Sequence, residues 1–251
     1  MVGRCAHPCA APDSNLDRLL VFNAGMQRIL FSALAVALVL LAPAAASAKI
    51  VEIGEVAAKP TPSCPASPCE VISRTTAFQS RIAAARNMFV APADGRIVAW
   101  TITLGKPGKK QQKFFEENLG GAAQAGITVL KAGDRKYGRV LGQTPLQPLT
   151  PWFGQTVQFP LTTSVPVVKG SIVALTVPTW APALALGLGQ DYVWKASRDI
   201  DACDDTQTQS AQTDVNDLTR YKCVYRTARL SYSATLITTP KPPVPPKKPK
   251  A

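Results

Sequence analysis

From Glu70 to Ile237 the chain is a succession of short apolar runs, broken repeatedly by proline, glycine, asparagine and aspartate. Where such runs alternate with polar residues, successive side chains fall on opposite faces of an extended backbone, which is the pattern of strands and not of helices. The clearest case covers 96–104. Val98, Trp100, Ile102 and Leu104 fall on one face, expected to point inward, and Ile97, Ala99, Thr101 and Thr103 on the other. It follows Pro92-Ala93-Asp94-Gly95, a turn whose glycine tolerates a positive φ. Further strands are expected at 50–53, 71–79, 87–91, 127–131, 140–143, 156–160, 171–177, 183–188, 192–196, 221–225 and 228–237. One helix is expected over 109–119, with Lys113 and Glu117 one turn apart and Gly120 placed to end it in a left-handed conformation. Strands and helices do not alternate, and no internal repeat is present. The chain therefore reads as all-β: an antiparallel β-sandwich of jelly-roll type over 70–239, with one short helix.

Ahead of this region, residues 26–48 (MQRILFSALAVALVLLAPAAASA) have the build of a secretory signal peptide. Arg28 supplies a basic start, Ile29–Ala42 an apolar run, and Ala46-Ser47-Ala48 an A-x-A cleavage site before Lys49. The rival reading is an uncleaved anchor, since the run approaches the roughly 20 residues that span a bilayer. Its alanine-rich end favours cleavage and a mature chain beginning at Lys49. Residues 1–25 then read as a mis-assigned upstream extension, 49–69 as a proline-rich lead-in, and 240–251 (PKPPVPPKKPKA) as an extended basic tail. After cleavage no transmembrane helix is expected, and the product is secreted or associated with the cell envelope.

Cleavage at that point changes the available chemistry. The only histidine is His7, so the mature chain has no imidazole, which removes Ser-His-Asp, Cys-His and histidine-ligated zinc chemistry together. Three of the 28 Lys+Arg and two of the 16 Asp+Glu precede Lys49, leaving 25 and 14 and a charge of about +11. Such an excess keeps a secreted protein soluble and also favours anionic partners outside the cell, such as wall polymers or acidic polysaccharide. Export sets nucleic acid aside as a physiological partner.

Cys5 and Cys9 fall in the upstream extension, and Cys64, Cys69, Cys203 and Cys223 remain. Four cysteines in an exported chain read as two disulfides, with three possible connectivities. Cys64–Cys69 is favoured by the tight turn Pro65-Ala66-Ser67-Pro68 between its ends. Cys203–Cys223 is favoured by the polar, acidic loop it would close. Neither spacing is C-x-x-C, which argues against a four-thiolate zinc site.

The series DGRIVAWTITLGKP, FFEENLGG, ITVLK, FGQTVQFPL, VPVVKGSIVALTVPTWAPALAL and YKCVY resembles a group of secreted bacterial β-sandwich proteins of unknown function. The resemblance covers most of 69–237 and implies a jelly-roll-like fold and export, with nothing catalytic. From the residues themselves, Glu116 and Glu117 point about 100° apart on a helix and cannot flank one bond. Asp199, Asp201, Asp204 and Asp205 are a candidate calcium cluster that lacks the order of a calcium-binding loop. No Ser-x-x-Lys or G-x-S-x-G is present, and Gly105–Lys110 lacks the phosphate-cradling glycine spacing. That basic loop, with Lys113, Lys131, Arg135, Lys136 and Arg139, is a candidate positive patch. Aromatic rings that stack on the apolar faces of sugars are the remaining candidates: Trp152, Trp180, Tyr192 and Trp194. The expected function is a non-catalytic module that binds an anionic or carbohydrate polymer or a surface partner. A purely structural protein and a carboxylate-dependent enzyme acting on polysaccharide are the alternatives.

Overall fold

The computed structural model describes residues 47–55, 60–205 and 209–240 of the 251. The upstream residues, the signal-like segment to Ala46 and the basic tail from Lys241 lie outside the described residues, as do His7, Cys5 and Cys9.

The first half of the fold contains β1 (Ile50–Ile53), β2 (Ile72–Ile82), β3 (Ala85–Arg86), β4 (Gly95–Thr103), β5 (Gln124–Ala132), β6 (Tyr137–Gln143) and β7 (Gln147–Pro148). The second half adds β8 (Thr156–Val167), β9 (Ile172–Ala181), β10 (Leu184–Ala185), β11 (Val193–Ala196), β12 (Leu218–Arg220), β13 (Cys223–Arg226), β14 (Arg229–Leu230) and β15 (Tyr232–Thr238). One α-helix is present among the described residues, α1 (Lys109–Asn118), between β4 and β5. The fold is thus all-β with one short helix. A four-stranded sheet runs β1-β15-β4-β8, and a larger one runs β12-β6-β5-β9-β2-β11-β13, with β3 added on β2 and β7 on β5. The short pair β10-β14 stands apart. The pairings are antiparallel, as expected for strands joined by turns without crossover helices.

Both sheets contribute to one core. Trp100, Ile102, Ala234 and Leu236 enter it from the smaller sheet, and Ile127, Val129, Val173, Leu175 and Val177 from the larger. The buried Tyr232 hydroxyl donates to the Val173 carbonyl at 2.9 Å, a polar tie between the sheets inside an otherwise apolar layer. At β4 the observed faces differ from the simple alternation. Ile97 is fully buried and Val98 only half-buried, because both neighbours of β4 step over Val98. Thr235 pairs Ala99 and Leu236 pairs Ile97, and the β8 register also slips between those two positions. A bulge inverts the phase of the strand where it occurs, so Ile97 joins Trp100 in the core.

The helix is close to its expected extent. Gln111 accepts the free Gly108 N–H at 2.7 Å, Lys113 pairs Glu117 at 3.8 Å, and Gly120 follows at φ 93°. Phe115 anchors α1, its ring 5.1 Å from that of Trp180. The expected strand at 87–91 is reduced to one bridge, Val90 to Ile172, because Asn87 turns the chain at φ 59°. Both favoured cysteine pairs sit at bonding distance: Cys64–Cys69 at 1.98 Å and Cys203–Cys223 at 2.08 Å.

Candidate functional site

The larger sheet has a second face. A separate cluster of Leu130, Val140, Ala174 and Tyr221, with Phe78 and Ile172 packed on it, lies on the side away from the main core. Alternation assigns the neighbouring strands. Ala77, Trp194, Ala196, Cys223 and Tyr225 pack in or against the main core, so Phe78, Lys195 and Val224 face outward. These three occupy one row, since Lys195 pairs Phe78 on β2 and Val224 on β13.

One step along, a second row runs across four strands. Arg86 pairs Arg81, Arg81 pairs Val193, and Val193 pairs Arg226. Arg81 reaches this face through a bulge. Trp194 pairs Gln79 and Val193 pairs Arg81, so β11 steps over Ser80 and the phase of β2 reverses. Without that bulge Arg81 would follow Ala77 and Gln79 inward. Re-aiming one side chain is a recurrent use of bulges beside functional sites. The Ser80 hydroxyl donates to the Val193 carbonyl at 3.1 Å and holds the irregularity in place.

The two rows border a groove of about 600 Å³, with Arg81, Arg86, Lys195 and Arg226 around an apolar base that includes Phe78, Phe89 and Ile172. Among the described residues no Asp or Glu lines it, and none of the four cations forms an ion pair. Two are held by neutral carbonyls: Arg81 Nε donates to Ala83 at 2.8 Å and Arg226 Nη1 to Gln190 at 3.1 Å. Like charges in opposite register, as at Arg81 and Arg86, repel. Burial, and next the nearby Lys136 charge, hold the Lys195 ammonium below its ordinary pKa. The groove therefore gathers positive charge over apolar surface without internal compensation, and its electrostatics favour an anionic ligand.

In comparisons with known proteins, no family model matches the chain, and neither does any curated protein or solved structure.

The aromatic residues singled out from sequence are not assembled into a surface platform. Trp180 is fully buried between Phe115 and Phe153, and its indole N–H donates to the Gly121 carbonyl at 2.9 Å. Trp194 is 4% exposed and stacked on Tyr225 at 4.0 Å, so that face is taken. Tyr192 is half-buried against the core. Trp152, in a 3-10 turn at Thr150–Trp152, is 38% exposed and meets Phe159 edge-on. Trp180 and Trp194 are thus corrected from ligand-stacking candidates to core residues.

Asp199, Asp201 and Asp204 are exposed around the 3-10 turn Ile200–Ala202 and Asp205 is half-buried. Among the described residues no three acidic, histidine or cysteine side chains are gathered into a metal-holding group. Glu116 and Glu117 are exposed on α1. Of the basic patch expected around Gly105–Lys110, none borders the groove; Lys136 stands at a cavity beside it. The cations that do converge were missed because Arg81 and Arg86, on one hairpin, lie far in sequence from Lys195 and Arg226 and meet them only through the strand order β3-β2-β11-β13. Lys195, between Trp194 and Ala196, carried an alternation signal for an outward position; Arg81 carried none.

Proposed function

We propose that the protein is a non-catalytic, secreted or envelope-associated module that binds an anionic polymer along the groove of Arg81, Arg86, Lys195 and Arg226. The observation that carries this reading is four cations around one groove with no carboxylate among the described residues that line it. A polyanion offers repeated charges to such a row and releases counterions from both surfaces on binding. Two cysteine pairs at bonding distance are compatible with an oxidising compartment. No helix among the described residues is long and apolar enough to cross a membrane. The secretory reading of 26–48 completes this picture, and the basic tail adds electrostatic retention at an anionic envelope.

The reading includes a jelly-roll sandwich. It is supported by two four-stranded orders, β1-β15-β4-β8 and β6-β5-β9-β2, between which the long strands pass back and forth. In this frame β11 and β13 extend the larger sheet beyond β2 and create the groove. The same frame suits the resemblance to secreted bacterial β-sandwich proteins.

Calorimetric titration of the purified, oxidised protein with polygalacturonate and with neutral dextran tests the function. Binding is expected for the acidic polymer only. It should weaken with added salt and fall about tenfold or more in the Arg81→Gln/Arg226→Gln variant, given the worth of charge-assisted hydrogen bonds. Equal binding of both polymers, or no binding of the polyanion, contradicts it.

A further inference from the structure

A second cavity, of about 150 Å³, adjoins the groove and shares Phe78, Ile172 and Lys195 with it. Its surface is largely aromatic and aliphatic. Phe78 and Tyr221 lie with ring centroids 5.4 Å apart, and Tyr137 and Leu130 continue the lining. Gly138 makes this floor possible, since a Cβ there would stand 2.6 Å from Tyr221 Cε2. Arg220 sits over the Tyr137 ring at 4.6 Å, and the Tyr221 N–H donates to the Lys136 carbonyl at 2.9 Å, so the rings are held by their neighbours.

The turn bringing Lys136 to the cavity holds Arg135 and Lys136 at φ 51° and 66°. Non-glycine residues adopt that region at a cost of about 1–3 kcal/mol each, and such outliers concentrate at binding sites. Lys136 and Lys195 both line the cavity, close enough for the charge of one to be felt by the other, and no carboxylate among the described residues shares the lining. The cavity therefore offers an apolar, partly aromatic surface and two adjacent cations, continuous with a row of arginines.

We propose that this cavity is the subsite for an acidic pyranose ring, with the ring's C–H face on the half-buried Phe78 and Tyr137, the buried Tyr221 backing them, and its carboxylate or sulfate at Lys136 and Lys195. The inference rests on the polyanion reading of the groove and names the repeating unit recognised there. The apolar C–H face of a pyranose chair matches the aromatic lining, which a linear polyol phosphate of equal charge does not use.

Three probes of matched charge separate the possibilities: a galacturonate oligomer, a sulfated sugar oligomer and a linear polyglycerol phosphate, each titrated into the oxidised protein and into Lys136→Gln and Tyr137→Ala. The expected result is a preference of about tenfold for at least one ring acid over the polyol phosphate, lost in both variants. The better of the two ring acids identifies the acid group. If the polyol phosphate binds as tightly as both ring acids, or the preference survives in both variants, the subsite is overturned while the groove reading stands. If no probe binds, both fall. Circular dichroism of each variant distinguishes a lost contact from a lost fold.

Discussion

Truncating a tryptophan buried to its last atom and one with more than a third of its surface exposed should have very different consequences. Trp180→Ala removes the ring between Phe115 and Phe153 and leaves a cavity, so a loss of about 3–5 kcal/mol is expected in urea unfolding. Trp152→Ala removes an edge contact with Phe159 from a ring already 38% exposed and should cost less than about 1 kcal/mol. Similar losses for both would mean that Trp152 is as much a core residue as Trp180. The strand expected from sequence at 171–177 stops short of Trp180, which Pro178 and Pro182 flank. Pro178 is nevertheless inside β9, at the point where the β2 register slips between Ser73 and Thr75. A proline is tolerated where the ladder is interrupted, and nothing in the local sequence announces that interruption. Gly138→Ala is a second residue-scale test. Its Cβ must displace the Tyr221 ring, and a loss of about 1–3 kcal/mol is expected from the same unfolding measurement. An unchanged midpoint would show that the ring moves freely and that the cavity floor is not fixed.

Strands with regular alternation were legible as strands, and β1 and α1 lie close to their expected positions. Two of the features that decide which side chains face where, the bulges at Val98 and Ser80, were not. Each is defined by how partner strands distant in sequence step over a residue, and so is a property of a pair and not of a segment. The cysteine pairs were legible because loop length and turn composition are local. The 203–223 link closes a loop with a sequence separation of 20 and anchors β13, which bears Arg226. On the chain-entropy model, replacing both cysteines by serine should lower stability by about 3 kcal/mol. The shorter 64–69 loop should be worth about 2 kcal/mol. Urea unfolding of the two serine double variants gives the comparison; a larger loss for the short loop would contradict the entropic account.

For the molecule as a whole, an excess of positive charge was plain from composition, but its location depended on the sheet order. Two buried phenols set its behaviour at high pH. Burial raises Tyr221 above its ordinary pKa of 10.0, and Tyr232, wholly enclosed, is raised well above it. The folded state therefore keeps protons that the unfolded chain loses above pH 10. Their contribution to stability is fully present below pH 10 and is lost as pH rises beyond it, by about 1.4 kcal/mol per pH unit for each tyrosine. Lys195 works in the opposite direction, because its lowered folded value favours stability as pH rises toward 10.5. Phenolate absorbance followed alongside circular dichroism should show the last two tyrosines ionising together with unfolding. Smooth ionisation of all tyrosines in the folded state would contradict their burial.

In the proposed mode of binding, outward residues of β2, β11 and β13, and not the lysine-rich loop before α1, meet the acidic polymer. Backbone amide chemical shifts of the isotope-labelled, oxidised protein, recorded during titration with a galacturonate oligomer, report this residue by residue. The account predicts saturable shifts at Phe78, Arg81, Lys195, Val224 and Arg226, with little change from Lys106 to Lys113. Shifts confined to that loop, or no shifts on the larger sheet at saturation, would contradict it.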